Sequence, residues 1–163
     1  MDGRFINVSR ETMIAATLCY LKREGYTLMI HRNKKKNDIH KSKWNGLGGK
    51  IEKGETPEEC VIREVYEESG ILIKNPVLKG VITFPEFKGE DWLVFVFVAY
   101  TNKKELIESK EGSLSWIKEE EITRLNLWEG DRIFLKWLKK DRFFSAKFVY
   151  IKESLSHHSV VFY

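Results

Sequence analysis

Disulfides cannot hold this chain together. It has two cysteines, Cys19 and Cys60, each among apolar neighbours, so reduced thiols in a reducing compartment are expected. Long hydrophobic runs are also missing. The longest, Leu93 to Tyr100, falls far short of the ~20 residues that span a bilayer. The first residues, Met1-Asp2-Gly3-Arg4, are polar and charged and do not resemble a signal peptide. No Pro/Gly/Ser-rich linker and no internal repeat divides the sequence. Neither sign of charge dominates, because 28 Lys+Arg against 24 Asp+Glu leave a net charge of +4. That bias is too small to imply binding to a nucleic-acid polymer by charge alone. These absences point to one cytoplasmic domain over residues 1–163, with no membrane partner and nothing that demands a second copy, so a monomer is expected.

What is present suits a globular core. Hydrophobic residues make up 42% of the 163 positions and aromatics 13%, and a domain of this length buries roughly 70% of its unfolded surface without a staple. Met13–Tyr20 and Tyr26–His31 read as strands flanking a turn at Lys22–Gly25. Arg32–Lys43 lacks any hydrophobic period and carries Lys34-Lys35-Lys36, as a solvated loop does, although the lysines could steer an anionic ligand. Three glycines fall between Asn45 and Lys50, where the backbone must turn tightly or pass close to something.

The best-defined helix runs from about Pro57 to Ser69. Thr56 and Glu59 form a capping box, Pro57 takes the first helical position and Gly70 terminates it. Strands are expected at Ile71–Ile73, Val77–Thr83, Asp91–Tyr100 and Leu114–Ile117. A second helix should begin near Asp131 and bury Ile133, Phe134, Trp137 and Leu138. Phe143–Ile151 and Ser159–Tyr163 could close a last hairpin, with His157 and His158 in its loop. The fold class is α+β, a mixed β-sheet sandwiched between α-helices.

The charges on the first helix conflict with its own dipole. Glu64, Glu67 and Glu68 are spaced i, i+3 and i+4, so they share one face and repel. Glu67 and Glu68 also sit in the last turn, at the negative end of the macrodipole, where an acid is unfavourable by about 0.3–1 kcal/mol. One account is a solvated acidic face screened by Arg63. The other is a hard divalent cation, which takes clustered oxygen ligands and reverses the sign of the penalty. Such a set suits Mg²⁺ better than Zn²⁺, because no His or Cys stands at zinc-ligand spacing.

The surrounding spacing favours the cation. From Gly49 the chain reads Gly-x5-Glu55-x7-Arg63-Glu64-Val65-x-Glu67-Glu68-x-Gly70-Ile71. This matches the Nudix box, and seven fixed identities at these offsets arise by chance well below about one time in a million. The chain therefore resembles the Nudix hydrolases. That resemblance implies a loop–helix–loop on one side of a mixed sheet. It also implies Mg²⁺ (with Mn²⁺ as a substitute) held by Glu64, Glu67, Glu68 and the Gly48 carbonyl. By the same resemblance Arg63 pairs with Glu55 and orients the carboxylates, Lys50 approaches the phosphates, and Glu64 is the favoured general base. A further acid from a loop outside the box is implied as ligand or base: Glu111, with Glu108 as its competitor.

Trp44–Glu55, Ile82–Phe87, Trp128–Asp131 and Phe143–Phe148 also resemble the MutT-type oxidised purine nucleoside triphosphatases. On that likeness Trp128 would stack on a purine while Asn45 and Asp131 read its edge, with Arg32 and Trp92 as further lining. Structural roles compete here: Trp128 as core and Asp131 as a helix cap. Some relatives carry a second Asp at the position of Gly130, which cannot replace its carboxyl. The implied reaction converts a purine nucleoside triphosphate, such as 8-oxo-dGTP, to monophosphate and pyrophosphate in nucleotide-pool sanitation. Alternatives are RNA 5′-triphosphate, dinucleoside polyphosphate or ADP-ribose as substrate, or a non-catalytic nucleotide-sensing module.

Overall fold

Alternating burial along the strands sets up two hydrophobic layers in this computed structural model, which describes residues 12–163. The expected domain start, within residues 1–11, lies outside the described residues. On β1 (Met13–Arg23) Cys19 and Leu21 join one core cluster, while Tyr20 between them joins the other. On β5 (Glu90–Tyr100) Phe97 and Ala99 face the first cluster, and Val96 and Val98 the second. The period of two sends neighbouring side chains to opposite faces of the sheet.

Among the described residues eight strands form one mixed sheet. Besides β1 and β5 these are β2 (Tyr26–His31), β3 (Trp44–Asn45), β4 (Val77–Phe87), β6 (Ser113–Lys118), β7 (Phe144–Ile151) and β8 (Ser154–Phe162). The order is β3-β2-β1-β5-β4-β7-β8, with β6 also on β2. The pairs β1·β5 and β4·β7 are parallel and the remaining pairs antiparallel. Helix α1 (Pro57–Ser69) covers one face through Val61 and Val65. Helix α2 (Glu129–Phe134) and a 3₁₀ turn at Trp137–Lys139 cover the other through Phe134, Trp137 and Leu138. The expected sandwich is present, with one long helix on one side and short pieces on the other. No helix among the described residues is long and apolar enough to cross a membrane.

Helix α1 has the ends read from the sequence. Glu59 N–H donates to the Thr56 hydroxyl at 3.1 Å, and Thr56 N–H donates to the Glu59 carboxylate at 2.8 Å. Gly70 ends the helix with φ +77°, and its N–H donates to the Tyr66 carbonyl. Three expectations need correction. Ile71–Ile73 is not a strand: Ile71 and Ile73 are buried and Leu72 is exposed, yet Ile71 N–H donates to the Ser69 hydroxyl and no strand among the described residues pairs with it. Alternating burial marks core contact there, not a ladder. His157 and His158 lie in β8, opposite Val149 and Phe148, because the hairpin turns earlier, at Lys152–Glu153. Helix α2 starts before Asp131, which therefore lies inside it and cannot be its cap.

Candidate active site

The backbone between β3 and α1 forms the floor of the site. Leu47 and Cys19 exchange both backbone hydrogen bonds (2.9 and 2.6 Å), Thr17 N–H donates to Gly49 C=O (2.8 Å), and Ile51 N–H donates to Ala15 C=O (2.9 Å). The segment thus runs antiparallel beside β1. Gly48 passes so close, at φ +153°, that a Cβ would lie 2.0 Å from the Thr17 carbonyl oxygen. Only glycine fits. The Leu47 and Gly49 carbonyls point toward β1, so alternation turns the Gly48 carbonyl away from it. Gly49 meets helix α1 directly: a Cβ there would fall 2.5 Å from the Glu64 carboxyl.

Arg63 organises the acids. Its Nε and Nη2 donate to the two Glu55 carboxylate oxygens (2.5 and 2.9 Å), while Nη1 donates to Glu64 (2.7 Å) and Glu67 (3.3 Å). The Arg63 hydrogen bonds hold the Glu55 carboxyl down at about 2. The pairing read from the sequence is present, and it is a fork that lysine cannot reproduce.

Glu68 is 6% exposed, and its Oε2 is buried without a hydrogen-bond partner among the described residues. Burial, then the nearby Glu64 charge, pushes its carboxyl up to about 8, with Glu111 adding to the effect and Arg32 and the Gly48 backbone opposing it. Burial also raises Glu64 against the pull of Arg63. An orphaned carboxylate oxygen among like charges is costly unless a cation compensates it. The oxygen-only donor set of Glu64, Glu68, Glu111 and the outward Gly48 carbonyl fits a hard divalent ion.

The ligands do not yet converge. Among the described residues no three His, Cys, Asp or Glu side chains are arranged to hold one ion. Protein cations are paired with these acids. Arg63 Nη1 reaches Glu67 (3.3 Å), while Arg32 Nη2 (3.1 Å) and Lys35 Nζ (2.5 Å) take the two Glu111 oxygens. Lys34 pairs with Glu108 (3.1 Å) and the Ser109 carbonyl (2.6 Å). The loop expected to be solvated, with lysines that could steer an anion, is thus tied to the acids of the β6 approach. Arg32 is anchored in turn on Asp38 (2.6 Å). Burial opposes the charge on Asp38, but the Arg32 hydrogen bond outweighs it and keeps the carboxyl low.

Of the base-pocket candidates, Trp128, Asp131 and Trp92 lie on the α2 face. Trp128 is 6% exposed and packs edge-on against Phe87 (5.1 Å) and Tyr150 (5.5 Å), with Lys43 over its ring at 4.8 Å. Asn45 and Asp131 are both buried, and neither side chain hydrogen-bonds another described residue. Burial pushes Asp131 up to about 7. Asn45 pairs with Ile30 of β2 and the next position, Gly46, faces the Tyr20 ring, while the Asp131 charge acts on the Tyr20 hydroxyl. Lys50 turns to this face and stands over Trp92 at 5.5 Å instead of beside the box glutamates. Trp92 buries its Nε1–H without a partner among the described residues.

Two residues here escaped the sequence reading. Tyr150 Oη accepts from Gly130 N–H at 2.7 Å, and a Cβ on residue 130 would lie 2.7 Å from that oxygen. The hydroxyl occupies the space a side chain at position 130 would enter. His40 accepts at Nδ1 from Trp128 Nε1–H, 2.9 Å away. No motif marks either residue, since each works through a contact distant in sequence.

The NUDIX domain model matches residues 12–138. Over 130 residues, 76% of this chain and 78% of the relative, the chain is 37% identical to an uncharacterised Nudix hydrolase, YvcI, of Bacillus subtilis. It is 38% identical over 112 residues (67% of this chain, 71% of the other) to an oxidized purine nucleoside triphosphate hydrolase of Danio rerio. The crystal structure of a mutator MutT protein from Bacillus halodurans superposes with a TM-score of 0.78 at 31% identity, covering 91% of this chain and 97% of that one.

Proposed function

This chain belongs to the Nudix family and is a Nudix hydrolase, and on that premise we propose that it converts purine nucleoside triphosphates, oxidised ones such as 8-oxo-dGTP included, to monophosphate and pyrophosphate. The observation that carries the chemistry is the partnerless buried oxygen of Glu68 beside Glu64. Glu64, Glu67, Glu68, Glu111 and the Gly48 carbonyl would hold Mg²⁺ or Mn²⁺. The bound ion supplies charge neutralisation of the polyphosphate oxygens and a more acidic water.

The chain's own groups do the remainder. Arg63 fixes the rotamers of Glu64 and Glu67, which a proton acceptor or ligand requires. Glu64, already raised by burial, takes the proton of the attacking water. Arg32 and Lys35, released from Glu111, face the incoming phosphates. The uncommitted Asn45 amide and Asp131 carboxyl read a purine edge against Trp128, as a guanine-like base with donors and acceptors requires. Trp92, with Lys50 over it, completes that wall. The purine reading draws support from the Danio rerio relative, whose name carries that activity at 38% identity. A cytoplasmic location, nucleotide-pool sanitation and a monomeric state belong to this reading, and the two free cysteines accord with the first.

The test is a substrate profile. Relative kcat/KM should be highest for 8-oxo-dGTP or dGTP with pyrophosphate as product. A preference for 5′-triphosphorylated RNA, a dinucleoside polyphosphate or ADP-ribose would replace the purine reading while leaving the family intact. Tight nucleotide binding with no turnover would make the chain a sensor.

A further inference from the structure

The 32–43 loop carries one imidazole into the aromatic wall of the base site. His40 lies parallel to Phe87 (6.2 Å, 21°) and edge-on to Trp128 (6.1 Å, 79°). Its backbone N–H donates to Asp38 Oδ1 at 2.9 Å, and Asp38 is itself held by Arg32. The ring is therefore placed by hydrogen bonds at both ends of the residue.

The Trp128 bond settles which nitrogen carries the proton. An indole N–H can only donate, so His40 Nδ1 presents its lone pair and the neutral ring carries hydrogen on Nε2. Burial, and then the Arg32 and Lys88 charges, hold His40 down at about 4 against the pull of Asp38, so the ring stays neutral at physiological pH. Among the described residues nothing accepts from Nε2, and Nε2 is not among the sealed, partnerless polar atoms. The result is a donor of fixed tautomer, open to a ligand at the edge of Trp128.

We propose that His40 is a specificity-determining residue whose Nε2–H donates to a carbonyl oxygen on a purine seated against Trp128, favouring oxopurines over aminopurines. A carbonyl accepts this bond, whereas an amino group at the same place turns N–H toward N–H and leaves a buried donor unpaired, the larger part of such discrimination. The inference rests on the base-pocket reading above and needs no hydrolysis.

Calorimetric binding of dGMP and dAMP to the wild-type chain, His40→Phe and His40→Gln tests it. Phenylalanine keeps a ring against Phe87 and removes the donor; glutamine keeps an acceptor for Trp128 and a donor for the ligand. His40→Phe should weaken dGMP roughly fivefold to tenfold, tighten dAMP by relieving the unpaired donor, and melt a few degrees lower because the Trp128 indole N–H loses its acceptor, whereas His40→Gln should restore much of the dGMP affinity and of the melting temperature. Equal changes for both nucleotides would mean that His40 only positions its loop and would overturn the proposal. So would no change, or a wild-type chain that binds neither. Pyrophosphate release from dGTP, measured separately on the wild type, keeps the two readings distinguishable. Turnover with unaltered selectivity in His40→Phe sinks the His40 role alone, and selective dGMP binding without turnover sinks the hydrolytic reading alone.

Discussion

Arg63 and Glu55 face each other fork to fork: two parallel hydrogen bonds of 2.5 and 2.9 Å leave the third guanidinium nitrogen free to reach Glu64 at 2.7 Å. One side chain thereby links the loop before α1 to the carboxylates on it. Removing the fork should leave the helix formed, because its caps lie elsewhere, and should free Glu64 to wander. Arg63→Lys and Glu55→Gln are each expected to lose about 10–100-fold in activity or Mg²⁺ affinity. Steady-state kinetics over a Mg²⁺ titration checks this, and near-normal turnover in Arg63→Lys would show that the fork is dispensable.

Glu68 makes metal-free stability depend on pH in a stated direction. Its folded carboxyl is raised from 4.5 to about 8, so between those values the folded chain binds more protons than the unfolded one. Stability then falls as pH rises through this window. In EDTA, Glu68→Gln should melt above wild type at pH 8–9, by roughly 2–6 °C, with the gap closing near pH 4–5. Mg²⁺ should raise the melting temperature of wild type and much less that of the variant.

Glu111 and Glu108 compete for one role, and the structure separates their surroundings. Glu111 holds Arg32 and Lys35 and acts on Glu64 and Glu68, whereas the Glu108 side chain is 89% exposed and pairs with Lys34. Glu111→Gln should reduce kcat at least tenfold, in the range of a lost general base or ligand, and Glu108→Gln should stay within about twofold. The reverse order in the same assay would move the role to Glu108.

Gly130 and Tyr150 should be coupled. A Cβ at 130 meets both the Tyr150 hydroxyl (2.7 Å) and the Phe148 ring (2.8 Å), so Gly130→Ala is expected to cost about 1–3 kcal/mol as overpacking. Tyr150→Phe alone costs about 1 kcal/mol by orphaning the Gly130 N–H. In denaturant melts the double variant should lose less than the sum, because the space opened by one change accommodates the other. Strict additivity would place the strain elsewhere.

How much was legible beforehand follows from the range of each signal. Helix α1 could be read to the residue because Thr56, Pro57, Glu59 and Gly70 act within a turn of where they stand. The Glu55–Arg63 pair was legible as part of a fixed spacing. The strand expected at Ile71–Ile73 failed because a period of two reports burial and says nothing of a neighbouring strand. His157 and His158 were misplaced because polar residues on an edge strand look like a loop. The Arg32–Lys43 loop hid its role most fully: Asp38 and His40 gain meaning only from Arg32, Phe87 and Trp128, which the fold brings to them. Lys50, next to the box in sequence, turns to the other face because it alternates with Gly49 along β1.

The central claim is that the α1 carboxylates act through a bound divalent ion on a nucleotide's phosphates. ³¹P NMR of dGTP with the wild-type chain, Glu64→Gln and Glu68→Gln, in Mg²⁺ and again in EDTA, tests it directly. The expected result is dGMP and pyrophosphate with wild type in Mg²⁺, and neither in the variants nor in EDTA. Unchanged turnover in Glu68→Gln, or in EDTA, would contradict it.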